Sequence, residues 1–315
     1  MNSPGLEFAA VQPTLKPPFD IRRRPPYPRI LPKSKLREKL VSVCIAIGCD
    51  ARTQNPKYIL IADMSLSTVT SSTQYGVKFL PLGKGWFAMF AGQDVSLAPD
   101  IIADAARALA RTRAENPGVN SKQVSEAIKN SYQTFRRTRI TDLYLSSYQW
   151  TLEYFLQNGL SLLGSSDFTS LRYQIDQYDL QCSFLVCGFD NDKTKSPKLF
   201  QIDNPGYLTP RTITGGYAAI GSGASNAVSY LDWRKQSTLT SLAISVYNGI
   251  AAKSLAESAL GVGPGTAVVI CEKGRERWRI LSDDERNGIK DIWLNEEAKV
   301  RPRNMESRLN KILGL

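Results

Sequence analysis

The hydrophobic period changes along the chain, and the changes divide it into elements. Residues 41–48 (VSVCIAIG) form a nearly continuous apolar, β-rich run, and after a polar stretch at 52–57 residues 58–62 (YILIA) form another. The two runs and the turn between them predict a buried hairpin. Residues 78–81 and 85–91 predict a second strand pair with Gly83 in the turn. The period then lengthens. Residues 94–113 have apolar positions near helical spacing and stop before Asn116-Pro117-Gly118. Residues 121–139 predict a helix opened by Ser121 as its cap, with Val124, Ile128, Tyr132 and Phe135 on one face.

Residues 140–172 are aromatic and less regular, and read as an insertion. Strands return at 181–190 and 198–202, with a short one at 216–220 that breaks at Gly221-Ser222-Gly223. Helices are predicted at 225–235 and 239–255, and strands at 266–272 and 278–281. Helix pairs set between blocks of strands point to an α+β fold. The expected form is a four-layer αββα sandwich with two mostly antiparallel sheets, not alternating βαβ units. A body at 41–282 is then flanked by a basic, Pro-rich extension at 1–40 and a charged, partly helical tail at 283–315.

Eight of the 17 prolines fall within residues 1–41, and the run RRRPPYPR at 22–29 cannot continue a helix or a central strand. The extension is expected to be extended or disordered. It also explains much of the charge. Residues 1–41 hold nine Lys/Arg and three Asp/Glu, or +6 of the net +11. The folded body is therefore not expected to bind nucleic acid. No apolar run approaches the ~18 residues that a membrane span needs. The five cysteines, Cys44, Cys49, Cys182, Cys187 and Cys271, are odd in number and show no CxxC spacing. With no secretory pattern in the first 41 residues, reduced thiols and a cytoplasmic location are expected, and Cys44 and Cys49 read as core residues.

The composition carries one strong exclusion: the chain has no histidine. That removes Ser-His-Asp and Cys-His triads and zinc sites that need imidazole. Proton transfer near neutral pH is left to a carboxylate, a lysine, a cysteine or an α-amino group. GxGxxG, GxxxxGK[ST] and GxSxG are all absent. Gly261-Val262-Gly263-Pro264-Gly265 follows a helix and precedes a strand, the reverse of a dinucleotide loop. No cofactor or metal is expected.

What is left is a set of isolated polar and glycine positions at strand ends: Ser42, Asp63, Lys78, Gly92 and Ser222. They sit in the segments Ser42-Val43-Cys44-Ile45-Ala46-Ile47, Ile61-Ala62-Asp63, Val77-Lys78-Phe79, Phe90-Ala91-Gly92, Gly188-Phe189-Asp190 and Ala219-Ile220-Gly221-Ser222-Gly223. In this order, and with 14 residues from Lys78 to Gly92, the chain resembles the proteasome β-type N-terminal-nucleophile hydrolases and their shorter bacterial relatives over roughly 42–282.

The resemblance implies roles. Ser42 matches the nucleophile at the first position of the mature chain, whose own α-amino group is the base. Asp63 matches the aspartate that holds the lysine, Lys78 the lysine beside the nucleophile, and Gly92 the oxyanion donor. Ser222 matches the serine near the amino terminus. Glu257 or Ser258 is the candidate for a third acidic position after the last long helix. A peptide or unfolded-protein substrate and a homo-oligomeric ring are implied, and whether an ATPase partner feeds it is left open. Two departures define the alternative. The nucleophile is Ser where the family has Thr, and it follows Val41 where self-cleavage normally follows Gly. Catalysis needs the arm removed or initiation at position 41. A chain that keeps its arm would be a non-catalytic ring or scaffold subunit.

Overall fold

The computed structural model describes residues 42–67, 72–73, 76–83, 85–115, 119–190, 196–212, 215–274, 278–298 and 312–313. The extension at 1–40 lies outside the described residues, as does Val41.

In chain order the first half contains β1 (Val43–Cys49), β2 (Lys57–Asp63), β3 (Leu66–Ser67), β4 (Ser72–Thr73), β5 (Phe79–Gly83), β6 (Trp86–Gly92), α1 (Ala98–Glu115) and α2 (Ser121–Ile140). A π turn (Thr141–Leu145) and a 3-10 turn (Ser146–Tyr148) lead into α3 (Leu152–Asp176). Then come β7 (Cys182–Gly188), β8 (Lys198–Asp203), β9 (Tyr207–Pro210), β10 (Tyr217–Gly221), α4 (Ala224–Trp233) and α5 (Leu242–Ala256). The last elements are β11 (Thr266–Glu272), β12 (Trp278–Ile280), α6 (Asp283–Ile292) and a π turn at Trp293–Glu297.

The strands form two five-stranded antiparallel sheets, in the orders β10-β1-β2-β11-β12 and β5-β6-β7-β8-β9, with β3 and β4 as a small separate pair. Side-chain alternation explains why the central strands read as unbroken apolar runs. Along β1, Val43, Ile45 and Ile47 enter one core with Ala227 and Leu231 of α4 and Val246, Ile250 and Ala251 of α5. The intervening Cys44 and Ala46 face Phe87, Met89 and Leu185 of the other sheet. In that sheet Trp86, Ala88 and Phe90 of β6 turn outward onto Ile101 and Ile102 of α1 and Ile128 and Tyr132 of α2. A strand covered on both faces needs apolar residues at every position. The result is an α+β sandwich: a helix pair, two stacked sheets and a second helix pair.

Several boundaries differ from the sequence expectation. Lys78 precedes β5 and does not open it. The first helix starts at Ala98, four residues late, because Asp94 is used in a turn that accepts the Ser96 N–H. The cap of α2 is Asn120, which exchanges hydrogen bonds with Gln123, while Ser121 donates to Asp190. The expected insertion at 140–172 is largely helical. The helix α3 is broken at Gly164, where φ is 76°, and closes a small cluster of Ile140, Leu145, Phe155 and Ile175. β9 was not expected. Of the segment expected as a partly helical tail, residues 283–297 include α6 and pack on the body. Ile289 and Trp293 pack against the α4–α5 core, and Tyr230 and Tyr247 donate to Glu297 at 2.9 and 2.6 Å. Among the described residues no helix is long and apolar enough to cross a membrane.

Candidate active site

The site lies where the two sheets meet. Ser42 precedes β1, Asp63 closes β2, and Lys78 leads into β5 of the facing sheet. Antiparallel pairing of β1 with β2, with Cys44 opposite Ala62, brings the start of one strand to the end of the other. The facing sheet is tied to the same point by two bonds: the Phe90 N–H of β6 donates to the Lys78 carbonyl at 3.1 Å, and the Cys44 thiol donates to the Phe90 carbonyl at 3.3 Å.

Ser42, Asp63 and Lys78 are buried and in direct contact. The Lys78 ammonium donates to Ser42 Oγ at 2.6 Å and to Asp63 Oδ1 at 2.7 Å. Asp63 is held from all sides. Its Oδ1 also accepts the Val43 N–H at 2.8 Å, and its Oδ2 accepts the N–H groups of Ser65 at 3.2 Å and Gly263 at 3.3 Å. A buried ion pair is retained at tolerable cost only when its remaining lone pairs are filled in this way. The geometry fixes the direction of the Lys78–Ser42 bond: an ammonium has donors and no acceptor, so the serine oxygen accepts. Such a donor stabilises negative charge developing on Oγ. It leaves the removal of the serine proton to another base.

Gly92 ends β6, two residues beyond Phe90 and opposite Cys182. A Cβ at Gly92 would strike the Gln181 carbonyl, so the close approach of the chain after β6 to the start of β7 requires glycine here. Its φ is not positive, so the requirement is this close approach and not a left-handed backbone. Ser222 follows Gly221, which pairs with Val43 across β10 and β1. Its hydroxyl, however, donates to the Leu260 carbonyl at 3.0 Å and so ties β10 to the loop after α5.

The candidates for the third acidic position turn elsewhere as well. Glu257 accepts from Lys253 at 2.7 Å and from Lys290 at 2.9 Å. The Ser258 hydroxyl donates to Leu255 and accepts from Asn226. Sequence reasoning missed Lys253, whose ammonium also donates to the carbonyls of Gly263 at 2.8 Å and Pro264 at 2.9 Å. The available signal was a lysine within the otherwise small and apolar run 250–256 of α5.

Cys44 lies beside the cluster, but burial pushes its thiol up to about 12 despite the nearby Lys78 charge. It is a core residue that stays protonated, not a nucleophile. All five cysteines are buried and free. Among the described residues no group of acidic, cysteine or histidine side chains could hold a metal ion. A cavity of about 650 Å³ lies beside β10, lined by Arg211, Tyr217, Ala219, Val228 and Asp232 among others, and shares no residue with the Ser42 cluster.

Comparison with protein-family models and with curated proteins gave no match to this chain.

Proposed function

We propose that the protein is an N-terminal-nucleophile hydrolase similar to the proteasome β type, cleaving amide bonds of peptides or unfolded proteins with Ser42 as nucleophile. One observation carries this reading: a buried ammonium bridges the Ser42 hydroxyl and the Asp63 carboxylate in a chain without histidine. The α+β sandwich with its two stacked antiparallel sheets supports it, being the architecture that the resemblance implies.

In the proposed reaction Ser42 has become the first residue. Its α-amino group, with an ordinary pKa of about 7.7–8.0, accepts the hydroxyl proton at neutral pH. Oγ attacks the scissile carbonyl while Lys78 holds the developing charge. A unit charge about 4 Å away contributes about 4 kcal/mol at an effective dielectric of 20. An N–H at the end of β6, with Gly92 as the candidate, receives the carbonyl oxygen. The α-ammonium then protonates the leaving amine, and water releases the acyl group from Oγ. A ring of like subunits is part of the proposal through the resemblance.

A second reading has its own observation. Val41 is joined to Ser42 in the chain, so an uncleaved protein has no α-amino base at this point. In that state the protein is a non-catalytic subunit with its arm retained. Intact mass and N-terminal sequencing of the natively expressed protein, followed by hydrolysis of fluorogenic peptides, separates the two. A chain beginning at Ser42 is expected to hydrolyse them and the uncleaved chain is not. Inactivity of a folded chain beginning at Ser42 rejects the catalytic reading.

A further inference from the structure

We propose that Lys253 is a positioning residue for the Ser42 site, acting through the loop at 261–265 and through Asp63. The inference rests on the hydrolase reading for its kinetic consequence, but its structural part stands without it.

The path is a short series of hydrogen bonds. The Lys253 side chain is fully buried, and its three donors are directed to Glu257 Oε1, the Gly263 carbonyl and the Pro264 carbonyl. The same Gly263 residue presents its N–H to Asp63 Oδ2 at 3.3 Å. Asp63 Oδ1 receives Lys78, and Lys78 reaches Ser42 Oγ. The Lys253 contact and the Asp63 contact thus fall on one residue, Gly263. The loop also has no slack. A Cβ on Gly263 would collide with the Ser65 hydroxyl, and the Met64 N–H donates to the Gly265 carbonyl at 3.2 Å. The loop therefore lies flat against residues 63–65, and its position sets that of the Asp63 carboxylate.

Three filled donors explain why a lysine stands here. Two adjacent carbonyls pointing the same way into a buried space need a donor between them, and an ammonium supplies both bonds at once. Burial pulls the Lys253 ammonium below its ordinary range, and the bond and charge of Glu257 oppose that. Glu257 in turn is shared with Lys290 of α6. The docked C-terminal helix is thereby linked to the site. Lys253, Glu257 and Lys290 do not themselves touch Ser42, so their expected effect is on the placement of Lys78 and not on substrate binding.

The test uses the full chain with carbon-13 at lysine Cε, the Lys78 signal being assigned by its loss in Lys78→Arg. In Lys253→Met the Lys78 signal is expected to move. In Lys57→Met, which removes the ion pair to Asp50 at the far end of the β1–β2 hairpin, it is expected to stay. In the form that hydrolyses peptides, Lys253→Met is expected to lower kcat about tenfold with KM within about twofold, because misplacement by a fraction of an ångström is felt in the reaction and not in binding. Glu257→Gln is expected to shift both readouts the same way by less, and it decides the matter if Lys253→Met does not fold. An unmoved Lys78 signal in the folded variant overturns the inference whatever happens to the rate. A moved signal in a protein that hydrolyses no peptide keeps the positioning role and rejects the hydrolase reading instead.

Discussion

The molecule buries two lysines against carboxylates, and the two clusters do different things. Lys78 and Lys253 each have a fully buried side chain and a carboxylate oxygen at 2.7 Å. They differ in where the remaining donors point. Lys78 faces the Ser42 hydroxyl, an oxygen whose charge can change in a reaction. Lys253 faces the Gly263 and Pro264 carbonyls, whose charge cannot. Their carboxylates differ too. Asp63 is enclosed by three backbone N–H groups, whereas Glu257 is partly open and shared with Lys290. Under the proposed function the same ion pair serves chemistry in one place and loop geometry in the other, and the third partner decides which.

Removing the Lys78 ammonium tests the contrast hardest. Lys78→Ala is expected to lower peptide hydrolysis by about 10³-fold, the scale for losing one donor to developing charge. The fold should survive, because Asp63 keeps its three N–H partners. The stability loss should be about 3 kcal/mol, read from urea unfolding. Asp63→Asn should lower hydrolysis by about 10²-fold, since the lysine is misplaced but present. Equal losses in the two variants would mean that Lys78 acts only as a partner of Asp63.

Alkaline pH separates Lys253 from the buried thiols. Burial pushes Cys44, Cys49, Cys182 and Cys271 up from 9.0 to about 12, and Cys187 well above its ordinary value. Between pH 9 and 12 the unfolded chain loses thiol protons that the folded chain keeps. Stability is therefore complete below pH 9 and falls above it, by about 1.4 kcal/mol per pH unit for each thiol fully titrating. Lys253 works in the opposite sense. Its folded value lies below 10.5, so between that value and 10.5 the unfolded chain holds the extra proton and stability rises with pH. Five thiols outweigh one lysine. The urea midpoint is expected to fall from pH 9 to 10.5, and more steeply in Lys253→Met. A flat profile would contradict the burial of these groups.

The smallest expected effect is at Ser222. Its bond to Leu260 predicts that Ser222→Ala loses about 1 kcal/mol of stability and leaves hydrolysis within about threefold. A loss of 10²-fold would instead restore the role near the amino terminus that the resemblance implies.

The sheets were legible in the sequence because their central strands face two cores at once. The runs at 43–49, 58–62 and 86–92 leave no charged position to blur the period. The helix α3 was not legible, because it has little amphipathic contrast, contains Gly164 and closes a core of its own. The docking of α6 was signalled only by Ser282 and Glu285, which form a capping box. At the site, nothing local marks Ser42, Asp63 and Lys78 as partners. Up to 36 residues separate them, and only their order within a resemblance placed them together. Lys253 belongs to no motif, and its meaning depends on a loop ten residues further along.

In the proposed reaction Ser42 Oγ is the attacking atom. The most direct measurement is mass-spectrometric peptide mapping of a chain beginning at Ser42 after a brief reaction with an activated peptide ester. The predicted result is an acyl group on the peptide containing Ser42, formed with a burst of the leaving alcohol and absent in Lys78→Ala. An acyl group on another residue, or none while the ester is turned over, would contradict it.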